Sequence, residues 1–532
     1  MKRTLSLLLT AALLLTGLCG CSRKNSLIFY TAVAAPAQGF DPQVAADETG
    51  RMIVRSCFEG LVVADKDGGI QPGVAASWTV SPDGLTYLFT LRPDAVWHLT
   101  TNAQEQLADR LPADFRLAVT ADDFVFALRR AVDPAMNAPD AFMYMNIKNA
   151  EAIRQNRAAV ETLGVHAIDA RTLQIDLTRP QSNFLYALAQ PAAMPCNETF
   201  FNACIGRYGT YIKFILSNGP YYLSRFDENS YRLNKSPDYR GEQSPKADYL
   251  WFYYVADRNN LLKDLADSEY SCAVLSDAEY RKLRAKRSFT VERENDVLRC
   301  LLFNLNDPLL GNADLRRALA AATDTGLIAE NAKRQAVYGL APERAADPRV
   351  TVHPHLFDRD KVAPSLEKAQ EALENASIEL TILCEEQHGE LMRKLLQEWQ
   401  QLLGVSVAAA VKTVTAQELE SAVASGDYQI AFCPLRARTF GAYEYFGAFT
   451  SYSGDNAAGY SSPTVNLLVN TLYSGDDAKF AACYRSLENL LANEAFLLPV
   501  WEESTWFVCT KGVSGVDYRG GDKIYFGNAV KT

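Results

Sequence analysis

The pattern of apolar and polar positions changes character near Leu301. On the amino-terminal side, short alternating runs such as residues 85–91 lie between turn residues, and they predict a mainly β part. A helix interrupts these strands after Thr120, where a cap and an acidic residue three positions later precede an apolar helical stripe. On the carboxyl-terminal side, strands and amphipathic helices alternate. This order predicts an α/β fold whose second half has a parallel sheet with right-handed crossovers.

Capping residues set several helix boundaries in the second half of the chain. Asn312 is a predicted cap, and Thr415 with Glu418 forms a predicted capping box. The helix that follows this box is expected to end near Gly426, because glycine favours the left-handed conformation of a helix terminus. Pro364 is expected to start a further helix.

The amino terminus has the pattern of an export signal. Residues 1–20 combine a basic start with an apolar run, residues 5–15, that is too short to span a bilayer. Small residues ahead of Cys21 resemble a bacterial lipoprotein signal, in which Cys21 becomes the lipidated first residue and residues 21–26 form a tether. An ordinary cleaved signal with a chance cysteine is the alternative. With lipidation, the acyl chains would hold the protein on the membrane.

Charge and composition exclude several classes of function. The net charge of the 532 residues is −10, or −12 without the two basic residues of the signal, and no basic run stands out, so nucleic acid is not an expected partner. Motifs of metalloproteases, serine hydrolases, phosphate loops and dinucleotide sites are missing from the sequence, so we expect neither an enzyme nor a cofactor. The pair His353 and His355 is expected to be a solvated turn rather than a metal site.

The cysteines do not form a metal-binding pattern. Nine remain after Cys19 and Cys21, their spacing is scattered, and none form a Cys-x-x-Cys pair. Most are expected to be small buried apolar residues. Disulfides remain open for an exported protein, and Cys196 with Cys204 is the closest mature pair in sequence.

Residues 40–134 carry the most specific signal. Their motifs, in order, are Phe40-Asp41-Pro42, Cys57-Phe58-Glu59-Gly60-Leu61, Gln71-Pro72-Gly73-Val74, Asp83-Gly84-Leu85-Thr86-Tyr87 and Thr120-Ala121-Asp122-Asp123-Phe124. Later motifs are Asn218-Gly219-Pro220-Tyr221, Phe303-Asn304-Leu305-Asn306, Tyr460-Ser461-Ser462-Pro463 and Leu498-Pro499-Val500. In this order, they resemble extracytoplasmic solute-binding proteins of the oligopeptide class, family 5, over nearly the whole mature chain.

The resemblance implies a fold and a role. The fold is a two-lobed α/β periplasmic-binding-protein fold with a ligand cleft between the lobes and an extra third domain. The implied boundaries are 27–67, 192–298 and 492–532 for lobe I, 68–191 for the extra domain, and 299–491 for lobe II. The role is to capture peptides by hinge closure for an ABC permease and ATPase, as a monomer. Residues 100–116 depart from the family as an insertion, which we expect to be a surface loop.

The implied ligand pocket lies at the carboxyl end of the predicted strand 428–432. The candidate residues there are Phe432, Cys433, Pro434, Leu435, Arg436 and Arg438. Related oligopeptide binders have an aspartate in this loop that pairs with the peptide's amino terminus, and Arg438 aligns with it. An arginine at that place would repel an ammonium and favour a carboxylate or phosphate. The alternative is a shifted loop in which Glu444 or Glu48 supplies the acid.

Further cleft candidates follow from the same resemblance. Ala46, Asp47 and Glu48 lie where the family pairs with the peptide backbone like an added strand. The others align with pocket aromatics of the extra domain or follow a late strand; they are Met143, Tyr144, Trp501, Glu502 and Glu503. For each of these, plain surface or core is an equal alternative.

Three functions remain open from the sequence. The first is a peptide import receptor. The second is the same scaffold loading a non-peptide or amine-blocked anionic solute. The third is a surface lipoprotein that acts as a sensor or holdase without a permease.

Overall fold

The computed structural model describes residues 26–64, 69–181, 183–241, 245–283, 289–346, 350, 356–437, 441–472, 477–519 and 521–532. The predicted signal, Cys21, Arg438 and the histidines His353 and His355 lie outside the described residues. None of the helices in the described ranges is both long and apolar enough to cross a membrane.

The described residues contain strands of very different lengths. They are β1 (Ile28–Val33), β2 (Val62–Ala64), β3 (Ile70–Pro72), β4 (Ala75–Val80), β5 (Thr86–Leu91), β6 (Val165–Asp169), β7 (Thr172–Asp176), β8 (Tyr221–Phe226), β9 (Ser230–Lys235), β10 (Tyr249–Tyr254), β11 (Cys272–Ser276), β12 (Thr290–Phe303), β13 (Ile378–Glu385), β14 (Val407–Val414), β15 (Ile430–Arg436), β16 (Leu497–Cys509), β17 (Val513–Ser514), β18 (Asp517–Tyr518), β19 (Ile524–Tyr525) and β20 (Val530–Lys531).

The helices are on average shorter before residue 300 than after it. They are α1 (Glu48–Cys57), α2 (Thr101–Gln106), α3 (Ala121–Val132), α4 (Ala150–Arg154), α5 (Phe184–Leu188), α6 (Glu198–Ala203), α7 (Arg258–Ala266), α8 (Asp277–Leu283), α9 (Ala313–Ala321), α10 (Thr325–Asn331), α11 (Arg359–Ala372), α12 (Gly389–Leu403), α13 (Ala416–Ser425), α14 (Ala442–Gly447), α15 (Pro463–Thr471) and α16 (Asp477–Glu494).

One continuous sheet joins the two halves of the molecule. Its ten strands, counted within the described residues, have the order β14-β13-β15-β12-β16-β11-β1-β10-β9-β8. The central strands β12 and β16 have 14 and 13 residues and pair antiparallel. At one end of this pair β16 also pairs with β11, and at the other end β12 also pairs with β15, so the two strands run through both lobes. We call the part with β11, β1, β10, β9 and β8 lobe I, and the part with β14, β13 and β15 lobe II. The two-lobed α/β fold is therefore confirmed.

The crossing strands are irregular where the lobes meet. The pairing of β12 with β16 shifts register between Glu294 and Val297 and again after Arg299. Inside the first shift, Asp296 is buried and its Oδ1 accepts a hydrogen bond from the Thr505 amide at 3.2 Å. A side chain thus replaces part of the backbone ladder at the junction of the lobes.

The sheet of lobe II is only partly parallel. Strands β14, β13 and β15 are parallel to each other, whereas β12 is antiparallel to β15. The prediction of a parallel sheet is therefore wrong for the strand at Leu301. That stretch is the end of a strand that arrives from lobe I, and a long-range path of this kind leaves no local pattern.

Most predicted helix boundaries are confirmed. The Asn312 side chain accepts from the Leu315 amide at 3.0 Å at the start of α9. Thr415 forms the capping box of α13, which ends at Gly426 with φ 74°. The start at Pro364 is wrong, because Asp358 caps α11 earlier and the proline lies inside the helix.

The extra domain is built on the four-stranded sheet β4-β5-β7-β6. Tyr87, Phe89 and other inward side chains of this sheet pack in the core together with α3. The insertion at residues 100–116 is more ordered than the predicted surface loop, because Thr100 caps α2 and Leu107 is buried. The exact domain boundaries stay predictions.

The nine cysteines within the described residues are all buried free thiols, so Cys196 and Cys204 are not bonded to each other in this structure. Among the described residues, no group of three or more histidine, cysteine or acidic side chains is placed to hold a metal ion.

Candidate ligand cleft between the lobes

The amino end of α1 positions the first group of predicted cleft residues. Asp47 caps this helix: its carboxylate accepts from the amides of Gly50 at 2.6 Å and Gln38 at 3.1 Å. These bonds occupy Asp47 with its own backbone, although burial outweighs them and raises its pKa. Ala46 and Glu48 on either side are half-buried. Glu48 is therefore the residue of this group whose charge remains available.

Glu48 carries a buried oxygen that nothing in the described structure satisfies. Its Oε1 has no hydrogen-bond partner among the described residues. Burial raises the pKa of Glu48 to about 7, Arg436 opposes this shift, and Asp296 adds to it. A buried carboxylate oxygen without a hydrogen-bond partner is costly, and none of the described residues supplies one to Glu48 Oε1.

Arg436 faces Glu48 from the other lobe. It is the last residue of β15, and its Nη1 donates to Thr505 Oγ1 at 3.1 Å. Its side chain keeps accessible surface, yet burial is the largest influence on its pKa and would lower it. Glu48 and Asp296 outweigh burial and raise the pKa. A side chain that is surrounded by protein and still has accessible surface is typical of the wall of an internal cleft, and Arg436 has both properties.

A second buried carboxylate belongs to Glu444 on α14, and the charges of Lys523 and Asp140 act on it. Both of its oxygens are buried, and neither has a hydrogen-bond partner among the described residues. Burial raises the pKa of Glu444 to about 7, against the opposing charge of Lys523. Burial likewise lowers the pKa of Lys523 to about 8, and its ammonium donates to Tyr186 Oη.

A network of buried ion pairs lies next to Glu444 and Lys523. Arg51 bonds Asp140 at 2.8 Å and Asp522 at 2.7 Å, and Arg55 bonds Asp522 at 3.0 Å. Burial raises the pKa of Asp522, but Arg55 and Arg51 outweigh it and lower the pKa well below its usual range. The network connects α1, the extra domain and the last segment of the chain.

Lobe II touches the extra domain directly across the cleft. Tyr443 Oη donates to the Phe142 carbonyl at 3.0 Å, and Ser453 Oγ donates to the Pro139 carbonyl at 2.9 Å. The Gly454 amide donates to the Ala138 carbonyl at 3.2 Å. These contacts hold lobe II against the extra domain on either side of Glu444 in sequence.

Sequence comparison agrees with this architecture. The model of bacterial extracellular solute-binding proteins, family 5 (middle region), matches residues 69–457. The chain belongs to this family. Its members are extracytoplasmic solute-binding proteins of transporters, and the resemblance read from the sequence is confirmed.

Two curated relatives match most of the chain. The dipeptide-binding protein DppE of Bacillus subtilis is 26% identical over 496 residues, covering 90% of this chain and 87% of DppE. The periplasmic oligopeptide-binding protein OppA of Escherichia coli is 27% identical over 487 residues, covering 87% of this chain and 85% of OppA.

Solved structures agree with the fold. Haemophilus influenzae OppA in complex with the peptide RPPGFSPFR has a TM-score of 0.78 at 22% identity, covering 96% of this chain and 99% of that one. The Escherichia coli murein tripeptide-binding protein MppA gives a TM-score of 0.76 at 21% identity over 95% of this chain, against 0.58 for its unliganded open form. These likenesses, all below 25% identity, support the shared fold.

Two predicted aromatic residues lie in the core. Phe432 and Trp501 are fully buried, with ring centroids 5.4 Å apart, and His388 packs against both. The Trp501 indole donates to Glu503 Oε1 at 2.8 Å. This packing shields both rings, so it gives no support to their predicted contact with a ligand, which stays a prediction.

Other predicted residues are spread around the cleft. Met143 and Tyr144 are buried in the extra domain, and Tyr144 Oη donates to the Ala187 carbonyl at 3.1 Å. Glu502 accepts from the Glu343 amide at 3.1 Å, and burial raises its pKa to about 7. Of the β15 residues before Arg436, one is buried and two are half-buried; they are Cys433, Pro434 and Leu435.

Several charged groups of the cleft were missed by sequence reasoning. Arg299 interrupts the otherwise apolar stretch 297–303 of β12, which is a signal that the sequence offers, whereas Asp296 ends the polar run 292–296 and does not stand out in the sequence. Arg299 bonds Glu385 at 2.7 Å and Glu503 at 3.2 Å. Lys523 gave no local signal, because its position opposite Glu444 depends on long-range folding.

A separate groove of about 510 Å³ lies at the opposite edge of lobe II. It is lined by residues that follow β12 or precede β15, including Asn306 and Asp427. Since Arg436 lies at the other end of β15, this groove is not part of the cleft.

Proposed function

We propose that this chain is the lipid-anchored, extracytoplasmic binding component of an ABC importer, and that it captures peptides with a free amino terminus. The peptide ligands of DppE and OppA support the class of ligand. The two long crossing strands support closure by a hinge, because the register shifts at Asp296 allow a bend there.

The observation that carries the choice of ligand is the pair of incompletely bonded carboxylates, Glu444 and Glu48. A peptide ammonium has three donors and a positive charge, so it supplies what their buried oxygens lack. Glu444 comes from lobe II and Glu48 from lobe I. A ligand that contacted both residues would stabilise the closed state more than the open one, which is the condition for ligand-driven closure.

The charge of Arg436 is less suited to bind an anionic ligand. Glu48 and Asp296 both lie close enough to raise its pKa, so an anionic ligand at Arg436 would also meet two acidic groups. This balance supports the reading in which an acid other than the family aspartate binds the amine. The anionic or amine-blocked solute becomes the competing outcome.

Calorimetry with a pool of random tripeptides tests the proposal. We expect binding by the free-amine pool and its loss after amino acetylation. Glu444→Gln should weaken binding at least about tenfold, because a charge pair at 4 Å contributes roughly 4 kcal/mol before desolvation. Glu105→Gln, on the exposed face of α2, is the matched control. Equal binding of the acetylated pool would contradict the proposal and favour the amine-blocked solute.

The anchor and the transport partner need a separate test. With Cys21→Ala, we expect the full chain to leave the membrane fraction, and mass spectrometry of the wild type should find acyl groups on Cys21. Purification from membranes should recover a permease and an ATPase. Wild-type protein without acylation contradicts the anchor, and recovery without any permease favours the sensor or holdase.

A further inference from the structure

Two pairs of cysteines face each other across the large sheet. Cys272 on β11 is the direct register partner of Cys509 on β16 in lobe I. Cys300 on β12 is the direct register partner of Cys433 on β15 in lobe II. Both pairs are antiparallel and buried, so they differ mainly in their place in the hydrogen-bond ladder.

The pair in lobe I occupies a non-hydrogen-bonded position. The Thr510 amide donates to the Ser271 carbonyl at 3.0 Å, so the neighbouring pair of residues is the hydrogen-bonded one. Because the two types alternate along an antiparallel ladder, Cys272 and Cys509 form a non-hydrogen-bonded pair. In such pairs the Cα atoms are about 4.5 Å apart, which lies within the range that disulfides span.

The pair in lobe II occupies the other type of position. The Asn304 amide donates to the Gln429 carbonyl at 2.9 Å, and the pair Cys300–Cys433 lies four positions away in unbroken register. It is therefore a hydrogen-bonded pair, with Cα atoms about 5.5 Å apart and side chains farther from each other. Disulfides need Cβ atoms about 3.5–4.5 Å apart, which disfavours a bond here.

The contacts of the thiols add to this difference. The Sγ atoms of Cys272 and Cys509 are 3.3 Å apart. The Cys300 thiol also interacts with the Cys433 side chain, but its hydrogen bond goes to the Cys433 carbonyl oxygen at 3.6 Å. We propose that Cys272 and Cys509 form a disulfide in the exported protein, and that Cys300 and Cys433 remain thiols.

The reaction is a thiol–disulfide exchange with an external disulfide, either glutathione disulfide or an oxidised dithiol oxidoreductase. One cysteine thiolate attacks the external disulfide and releases a thiolate, and the second cysteine then displaces the other external thiolate. The protein loses two protons and two electrons, and the external disulfide is reduced to two thiols. Burial raises the pKa of Cys272 in the folded protein, so the exchange belongs to the time before β11 and β16 close over it.

The bond would connect residues 237 positions apart. A closed loop of that length restricts the unfolded chain strongly. It would also fix the lobe I end of β16 to β11, while the lobe II end of the same strand stays unlinked. Bending between the lobes would then occur near Asp296 rather than by slippage of β16 in lobe I.

Peptide mapping of the exported full-length protein tests the proposal. One sample is denatured in the presence of iodoacetamide, which alkylates free thiols, without reductant, and is then digested. A second sample is first reduced and refolded in glutathione redox buffer, and is then treated in the same way. We expect a Cys272–Cys509 linked peptide in both samples and alkylated Cys300 and Cys433. Alkylation of Cys272 and Cys509 in both samples, or a link between Cys300 and Cys433 instead, would overturn the proposal.

A matched pair of double variants gives an independent measurement. The wild-type melting temperature should fall when reductant is present during unfolding. Cys272→Ala/Cys509→Ala should lose this dependence on reductant, whereas Cys300→Ala/Cys433→Ala should keep it. If the second variant lost the dependence and the first kept it, the assignment of the bond to lobe I would be wrong.

Discussion

Glu444 illustrates at the residue scale how burial and charge compete. Its carboxylate is buried beside Lys523, yet neither oxygen has a hydrogen-bond partner among the described residues, and burial raises its pKa to about 7. Glu48 is shifted in the same direction from the opposite lobe. The ligand-free cleft therefore holds protons that an unfolded chain would release, and an ammonium ligand would displace them.

This proton uptake predicts the pH dependence of stability without ligand. The ordinary pKa of these carboxyls is 4.5, and the folded values are about 7. Between pH 4.5 and pH 7 the folded state binds more protons than the unfolded state. The stability that the protonated carboxyls contribute is therefore fully present below pH 4.5 and is lost as pH rises through 7. Urea unfolding should show a steeper decline in wild type than in Glu444→Gln, and Glu105→Gln should follow wild type. An identical slope in Glu444→Gln contradicts the shifted pKa.

Substitution of Trp501 distinguishes a role in the core from contact with a ligand. The ring is 1% exposed and packs against Phe432 and His388. Trp501→Ala should lower the free energy of unfolding by about 3–5 kcal/mol, because it leaves a cavity. Ile168→Ala, at a side chain that is 59% exposed, should change it by less than about 0.5 kcal/mol. Lost peptide affinity at unchanged stability would instead identify Trp501 as a ligand contact.

At the scale of elements, local signals were predictable and long-range ones were not. The caps at Asn312 and Thr415 could be read because a cap and its partner lie within one helical turn. The antiparallel entry of β12 into lobe II could not, since β12 joins strands that are distant in sequence. The same holds for the bulge at Asp296, whose partner Thr505 lies 209 residues away.

The bulge gives a prediction for the crossing strands. Asp296→Ala removes the acceptor of the buried Thr505 amide and an acid beside Arg436. We expect the free energy of unfolding to fall by about 1–3 kcal/mol, the cost of an unsatisfied buried group. Asp296→Asn keeps an acceptor and should cost less, which urea unfolding can measure. Equal losses in both variants would show that the hydrogen bond does not matter.

At the scale of the whole molecule, the sequence located the two-lobed fold but only part of the cleft. Arg436 and Glu48 could be proposed from the sequence because both follow from motifs aligned along the chain, and their contact with a ligand stays a prediction. Lys523, which faces Glu444, could not, because three distant segments must fold together before these groups meet. A cleft between lobes is thus a property of the folded molecule rather than of one motif.

The contact between lobe II and the extra domain predicts how closure controls affinity. A Cβ on Gly454 would overlap the backbone carbonyl oxygen of Asn137, whereas a Cβ on Gly527 would meet no atom within 4 Å. Gly454→Ala should therefore disfavour the closed state without touching the carboxylates of the cleft. Overpacking of this kind costs about 1–3 kcal/mol, so peptide affinity should fall roughly tenfold.

The control for this prediction is Gly527→Ala, which should bind like wild type. Calorimetry gives the affinities, and small-angle scattering with saturating peptide gives the compactness of each variant. Saturating peptide should still close the Gly454→Ala variant, because binding to the closed state restores the closed population that the substitution lowers. If affinity and compactness both matched wild type, the contact at Gly454 would not belong to the closed state, and closure would depend on the crossing strands and the ligand alone.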